Sequence, residues 1–357
     1  MTLKTARMVL FTAAALAVGA AVQAQVRPVH TFSIVARDPQ TGEIGVAVQS
    51  HWFSVGSVVP WAEPGVGAVA TQSFVDSSYG PLGLDLMRAG KSAPEALKSL
   101  LAGDSGAEVR QVAMIDAQGH VGVWTGGKDI QPAGHVAGPE KNPAPGLVGW
   151  KSAEGGRGDV GEGFSTEANL MSTDKVWPAM AEAFEGAKGD LAERMLAALD
   201  AAQAVGGDIR GKQSAALIVV SGKATGHPWD RIFDLRVEDA VEPLKELRRL
   251  VTLERAYNHM NAGDLAVEHK DNEGALREYA AAEEIASSTP GVPQSRLAEM
   301  IYWHAVALVN MKRVDESLPL FKKAFALEPS WRTLTPRLPK SGLLPEDPKV
   351  IERIMAQ

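Results

Sequence analysis

Between residue 31 and about residue 250 the chain alternates short, β-branched apolar runs with glycine, aspartate and proline breaks, and from Leu253 onward that strand signal stops. The runs at 31–36, 44–49, 66–72, 111–115, 120–124, 215–220 and 232–237 are short enough, and sharply enough bounded, to predict β-strands. Asp38-Pro39-Gln40-Thr41-Gly42 and Asp116-Ala117-Gln118-Gly119 separate paired runs and predict hairpin turns, hence antiparallel pairing. Helical spacing of leucine, alanine and methionine covers 81–102 and 175–204, and Ser92 with Glu95 has capping-box spacing at the start of a helix. Strands and helices in this order predict an α+β sandwich of antiparallel sheets with helices outside it. Pattern alone does not separate this from any ordinary α+β sandwich.

Residues 139–163 hold seven glycines and three prolines in 25 positions, a composition that predicts neither helix nor strand. Such a loop is either a lid over a site or an insertion. Arg157-Gly158-Asp159 within it resembles an adhesion tripeptide, which chance in a glycine-rich stretch explains.

The last hundred residues repeat a packing pattern. Gly263, Ala275, Tyr279 and Ala282 recur with the same internal spacing as Ala305, Ser317, Phe321 and Ala324, and Pro329 closes the second unit. Small and aromatic residues so placed are those of a tetratricopeptide repeat; the offset of 42 residues exceeds the usual ~34, with Ser288 to Pro293 as the longer loop. Two units are fewer than independent stability usually needs, so this part is expected to lean on the first domain or on a partner. Its 13 basic and 15 acidic residues do not select that partner by charge.

The amino terminus changes the cellular setting. Lys4 and Arg7 precede an apolar run from Met8 to Val22, and Val22-Gln23-Ala24 follows, the order of a secretory signal peptide cleaved after Ala24. The apolar run is shorter than a membrane span requires. The expected domains are therefore a signal peptide at 1–24, an α+β domain at 25–250 and helical repeats at 251–357, in a protein exported to the periplasm. Losing the signal peptide takes the formal charge from −7 to −9, and no basic stretch is present to track a phosphate backbone, so nucleic acid is not an expected partner. With no cysteine, disulfides, thiolate metal sites and a cysteine nucleophile are excluded together.

Several motifs fail on context. Gly122 to Lys128 has phosphate-loop spacing, but Asp129 stands where a Ser or Thr is needed. Ser172 to Lys175 fits Ser-x-x-Lys without companion motifs, leaving helix capping as the plainer role for Ser172. None of the eight histidines forms the helical pair of a zinc protease, and neither a metal nor a cofactor is expected.

Other blocks carry a specific resemblance. Thr31 to Asp38, Gly45 to Ser50, Gly65 to Gln72, Tyr79-Gly80-Pro81, Gly122 to Gly126, Gln213 to Leu217 and Asp234 to Val237 occur in an order that resembles the bacterial domain-of-unknown-function family 1028, assigned to the N-terminal nucleophile (Ntn) hydrolase fold. The resemblance implies a four-layer αββα sandwich, followed here by the tetratricopeptide-like helices. It also implies a mechanism in which the first residue's side chain attacks an amide carbonyl while its own α-amine serves as base, because an unactivated hydroxyl is a poor nucleophile. Thr31 is the matching position. Backbone N–H groups near Thr71 to Ser73 would hold the oxyanion. The pattern usually reads Gln-Gly-Asn where this chain has Glu167-Ala168-Asn169, so Asn169 carries over.

Proteasome-type relatives of that fold tune the threonine with an aspartate and a lysine. Here the second strand carries Gln49, and no lysine or arginine lies between Arg37 and Arg88, leaving Asp38, His51 and Asp76 as the nearest tuning candidates. Gln72, Ser73, Tyr79 and Ser214 complete the candidate substrate-binding set. Trp52 and Trp61 flank a hydrophobic hairpin and serve either a pocket or the core. Cleavage after Ala24 leaves Gln25 first and Thr31's nitrogen in a peptide bond, so this chemistry needs a second cut between His30 and Thr31. Two readings stand together: an exported hydrolase of a small amide or peptide, its repeats recruiting a protein partner or a second copy, and an exported binding or scaffold protein that keeps the fold without the chemistry.

Overall fold

The computed structural model of the protein describes residues 29–139 and 149–357; the expected signal peptide at 1–24 and part of the glycine-rich 139–163 stretch lie outside the described residues. Two six-stranded antiparallel sheets account for the strand-rich part. The first runs β12-β11-β2-β1-β10-β7 and the second β3-β4-β5-β6-β9-β8. The strands are β1 Thr31–Arg37, β2 Ile44–Ser50, β3 Pro60–Glu63, β4 Gly67–Ser73, β5 Arg110–Asp116, β6 His120–Thr125, β7 Gly134–Ala137, β8 Trp150–Lys151, β9 Arg157–Glu162, β10 Phe164–Ala168, β11 Ser214–Val220 and β12 Phe233–Val237.

Alternation along these strands makes layers, because neighbouring side chains point to opposite faces. Val35, Val46, Val48, Ala70, Ala113, Val123 and Ile218 meet between the sheets. Phe32, Ile34 and Leu217 point outward from the first sheet, under α3 (Val176–Gly186) and α4 (Leu191–Ala204). Val69, Val112 and Met114 point outward from the second, under α1 (Tyr79–Arg88) and α2 (Ala93–Gly103). Both expected hairpins form, β1 with β2 and β5 with β6. In the first, Asp38 Oδ1 accepts the N–H groups of Gln40 at 2.8 Å and Thr41 at 3.0 Å. Ser92 opens α2 as expected, its N–H donating to the Glu95 carboxylate at 2.9 Å.

The 139–163 stretch corrects the sequence reading. Trp150–Lys151 and Arg157–Glu162 are strands β8 and β9, paired to each other, with β9 also paired to β6. Here glycine serves close packing: a Cβ on Gly158 would lie 2.2 Å from Trp150 Cε2, and one on Gly156 would lie 2.4 Å from Trp124 Cζ2. Arg157-Gly158-Asp159 is thus a sheet segment. Ser172 does not cap α3, whose cap position is Lys175; its N–H donates instead to the Gly207 carbonyl.

Beyond β12 the structure is helical: α5 Pro243–Glu268, α6 Asn272–Ser288, α7 Gln294–Asn310, α8 Val314–Leu327, α9 Ser330–Leu334 and α10 Pro348–Met355. The eight repeated positions are all buried, with Gly263 set against the Tyr279 ring. Helix α5 is continuous through residues 249–254, where the sequence places a domain boundary. Its first turns bury Leu244, Leu247 and Val251 beside the first sheet, while Ala256 and Met260 pack in the helical part.

Candidate active site

At one end of the sandwich the filling between the sheets changes from apolar to polar. Thr31, Ser33, Ser50, Gln72, Gln111, Ser165, Glu167, Asn169 and Ser214 are all fully buried. Buried polar groups demand partners, and all of these but Ser214 make a connected set. Gln111 is the hub. Its Oε1 accepts from Gln72 Nε2 at 2.7 Å and Asn169 Nδ2 at 2.9 Å, and its Nε2 donates to Thr125 Oγ1 at 2.9 Å and the Ala168 carbonyl at 3.0 Å. Thr125 continues to His135 Nδ1 at 2.7 Å, and His135 Nε2 lies 3.2 Å from Asp159 Oδ2. His135 and the neighbouring Arg157 hold the Asp159 carboxyl down at about 2.

Ser33 Oγ lies 2.8 Å from both Gln72 Oε1 and Glu167 Oε1. One hydroxyl has one proton to give. That proton is shared between the Gln72 and Glu167 oxygens, and complete burial pushes the Glu167 carboxyl up to about 8.

Thr31 opens β1 beside this set, with its carbonyl accepting from Asn169 N at 3.2 Å and Gln72 Nε2 at 3.4 Å. Its hydroxyl donates to the Val29 carbonyl at 3.0 Å. The two residues before it are held as firmly. Val29 pairs with Ser73 across the sheets, its N–H donating to the Ser73 carbonyl at 2.5 Å and its carbonyl accepting from Ser73 N–H at 2.9 Å. His30 Nδ1 donates to Asn169 Oδ1 at 2.8 Å, and burial pushes its imidazole below the usual range. The His30 carbonyl accepts from Ser50 Oγ at 2.5 Å and Arg210 Nη2 at 2.8 Å. Asp208, buried beside the site, orients that guanidinium with contacts of 3.0 and 2.6 Å.

Two non-glycine residues adopt left-handed backbone here, Ser73 at φ 69° and Leu170 at φ 55°. Such strain costs about 1–3 kcal/mol per residue and collects at functional sites. Next to His30 opens a cavity of about 570 Å³ lined by His30, His51, Trp52, Phe53, Leu170, Arg210 and Gln213.

The sequence-derived residues divide accordingly. Thr31, Gln72 and Asn169 meet directly, Ser73 reaches them through Val29, and His51 lines the cavity. Asp76 sits instead at the start of α1, where Oδ1 accepts Ser78 N–H at 3.0 Å, and Tyr79 donates to Asp104 at 3.0 Å under the outer helices. Asp38 holds its own hairpin and contacts Arg194 at 3.3 Å. Ser214 donates to the Trp52 carbonyl and accepts Val55 N–H at 3.1 Å, fixing the turn after β2. Trp52 faces the cavity, whereas Trp61 packs against Gly80. Gln111, Ser33, Ser50, His30 and Arg210 escaped sequence reasoning. A glutamine and a serine at inward-facing strand positions were the available signal.

Two face-to-face antiparallel sheets with helices outside, closed at one end by a polar layer next to a cavity, define a mixed α/β sandwich with a buried polar site. The chain belongs to DUF1028, a family of unknown function, whose profile matches residues 31–144 and 147–247. It is similar to the crystal structure of protein SPO2555 from Silicibacter pomeroyi, a DUF1028 protein, at 28% identity and a TM-score of 0.49, over 62% of this chain and 84% of that one. Comparison with curated proteins finds no match.

Proposed function

We propose that this protein is an exported, periplasmic hydrolase of an amide or peptide bond, with an Ntn-hydrolase-like αββα domain and Thr31 as nucleophile, and that the described state still carries the segment ahead of Thr31. The observation that carries this reading is the His30 carbonyl. It belongs to the peptide bond that must be cut to free Thr31, and Ser50 Oγ and Arg210 both donate to it. Donors aimed at a carbonyl oxygen stabilise the negative charge it gains on attack. The adjacent Thr31 hydroxyl adds to the His30 carbon, the His30–Thr31 C–N bond breaks, and the departing nitrogen takes the hydroxyl proton. Water then hydrolyses the ester, leaving a His30 carboxylate and a free Thr31 amine.

In the released chain that amine takes the Thr31 hydroxyl proton during attack on substrate and passes it to the leaving amine, and water again clears the acyl-enzyme. Asn169, Gln72 and Gln111 fix the strand end from which Thr31 acts. Support also comes from the family match, which starts at Thr31 itself. The helices after β12 are read as tetratricopeptide-like units that recruit a protein partner.

A scaffold without chemistry is the second reading, favoured while residues 29–30 stay attached, because Thr31 is then fully buried with its hydroxyl spent on Val29. Amide hydrolysis by wild-type protein, Thr31→Ser and Thr31→Ala separates the two. The expected result is retained activity in Thr31→Ser and a fall of at least about a thousandfold in Thr31→Ala, the scale of losing a nucleophile. Undiminished hydrolysis by Thr31→Ala would remove Thr31 from the mechanism.

A further inference from the structure

We infer that the substrate is an extended peptide with at least two residues on the acyl side of the cleaved bond, an apolar one followed by one with a hydrogen-bond donor, and not a small primary amide. The inference rests on the hydrolase reading above. The same Thr31 oxygen attacks the chain's own bond and the substrate's, beside the same Ser50 and Arg210 donors, so a substrate acyl group takes the place that Val29 and His30 occupy.

That place has a definite shape. Ser73 offers both its N–H and its carbonyl to Val29, and both are buried. Only an α-amino-acid residue in extended conformation presents an N–H and a carbonyl to one partner residue in this way, as in an antiparallel pair. Once Val29 leaves, a ligand lacking either group strands a buried donor or acceptor of Ser73, which is costlier than never forming the bond. The strained φ of Ser73 keeps those groups presented. The Val29 side chain lies in the apolar filling between the sheets, which sets an apolar preference at that position. The His30 ring donates to Asn169 Oδ1 and borders the cavity beside Trp52, Phe53 and Leu170, which sets a preference for a flat donor-bearing side chain next to the cut bond. A free amino-acid amide fills at most the His30 place and leaves the Val29 place empty.

The test uses the full chain as purified, with its mass followed to register the state of the His30–Thr31 bond, and three probes: acetyl-Val-His 4-nitroanilide, its N-methyl-valine analogue and acetyl-His 4-nitroanilide. The first is expected to be cleaved with a kcat/KM about tenfold above the N-methyl analogue, which lacks the N–H that Val29 gives to Ser73, and about a hundredfold above acetyl-His, which also lacks the apolar side chain. Equal cleavage of all three, abolished in Thr31→Ala, overturns the peptide inference and leaves the hydrolase reading standing. A chain cut at His30–Thr31 that cleaves none of the probes does the same. A chain never cut there that cleaves nothing removes the hydrolase reading, and this inference with it.

Discussion

Glu167 is a carboxyl group buried completely beside Ser33 and Ser165, at a place where glutamine is usual in the pattern the chain resembles. Burial raises its pKa from the ordinary 4.5 to about 8. Between those values the folded state holds a proton that the unfolded state has lost, so Glu167 favours folding fully below pH 4.5 and progressively less as pH rises towards 8. Glu167→Gln is therefore expected to flatten the pH dependence of stability across this window and to raise the urea midpoint at pH 8 relative to wild type, while leaving the Ser33 contact in place. Urea denaturation at pH 5 and pH 8 reads both; a wild-type midpoint that climbs with pH over this interval would contradict the assignment. At this scale the sequence was legible where a motif singled out Thr31, Gln72 and Asn169. It was illegible where one polar residue in an apolar strand, such as Gln111, takes its role from strands distant in sequence.

Elements were legible where alternation was clean. β1, β2, β5, β6 and β11 pair apolar runs with obvious turns, and they form within a residue or so of their expected ends. β10 was hidden because the polar layer uses its inward face: Ser165 and Glu167 remove the apolar signal that would mark a strand. β8 and β9 were hidden by glycines whose absent side chains admit the Trp150 and Trp124 rings. The helical part shows the converse, with small residues marking true contacts. A Cβ on Gly263 would lie 2.8 Å from Tyr279 Cε1, and that tyrosine cannot swing away freely because its hydroxyl donates to Asp264 at 2.6 Å. Gly263→Val is expected to force α5 from α6 and cost about 1–3 kcal/mol, as overpacking does. Calorimetry checks this: an unchanged melting profile would mean that the two helices do not meet as closely as described.

Across the whole molecule, α5 ties the sandwich to the helices. Arg248 contacts Glu193 and Asp200, and Arg255 contacts Asp190 and Glu193, clamping α5 to α4 one turn either side of Val251. At the candidate site, Val29 and His30 fill the place proposed for a substrate's acyl group. The sequence alone posed the need for a cut ahead of Thr31, but only the fold brings Ser50 from β2 and Arg210 from the turn before β11 onto the one carbonyl concerned. Intact mass of the purified protein over time, starting from a chain that still includes Gln25 to His30, tests that account most directly. It predicts conversion to a chain that begins at Thr31, slowed in Arg210→Ala and absent in Thr31→Ala. A wild-type chain that hydrolyses amides while His30 stays joined to Thr31 would contradict it.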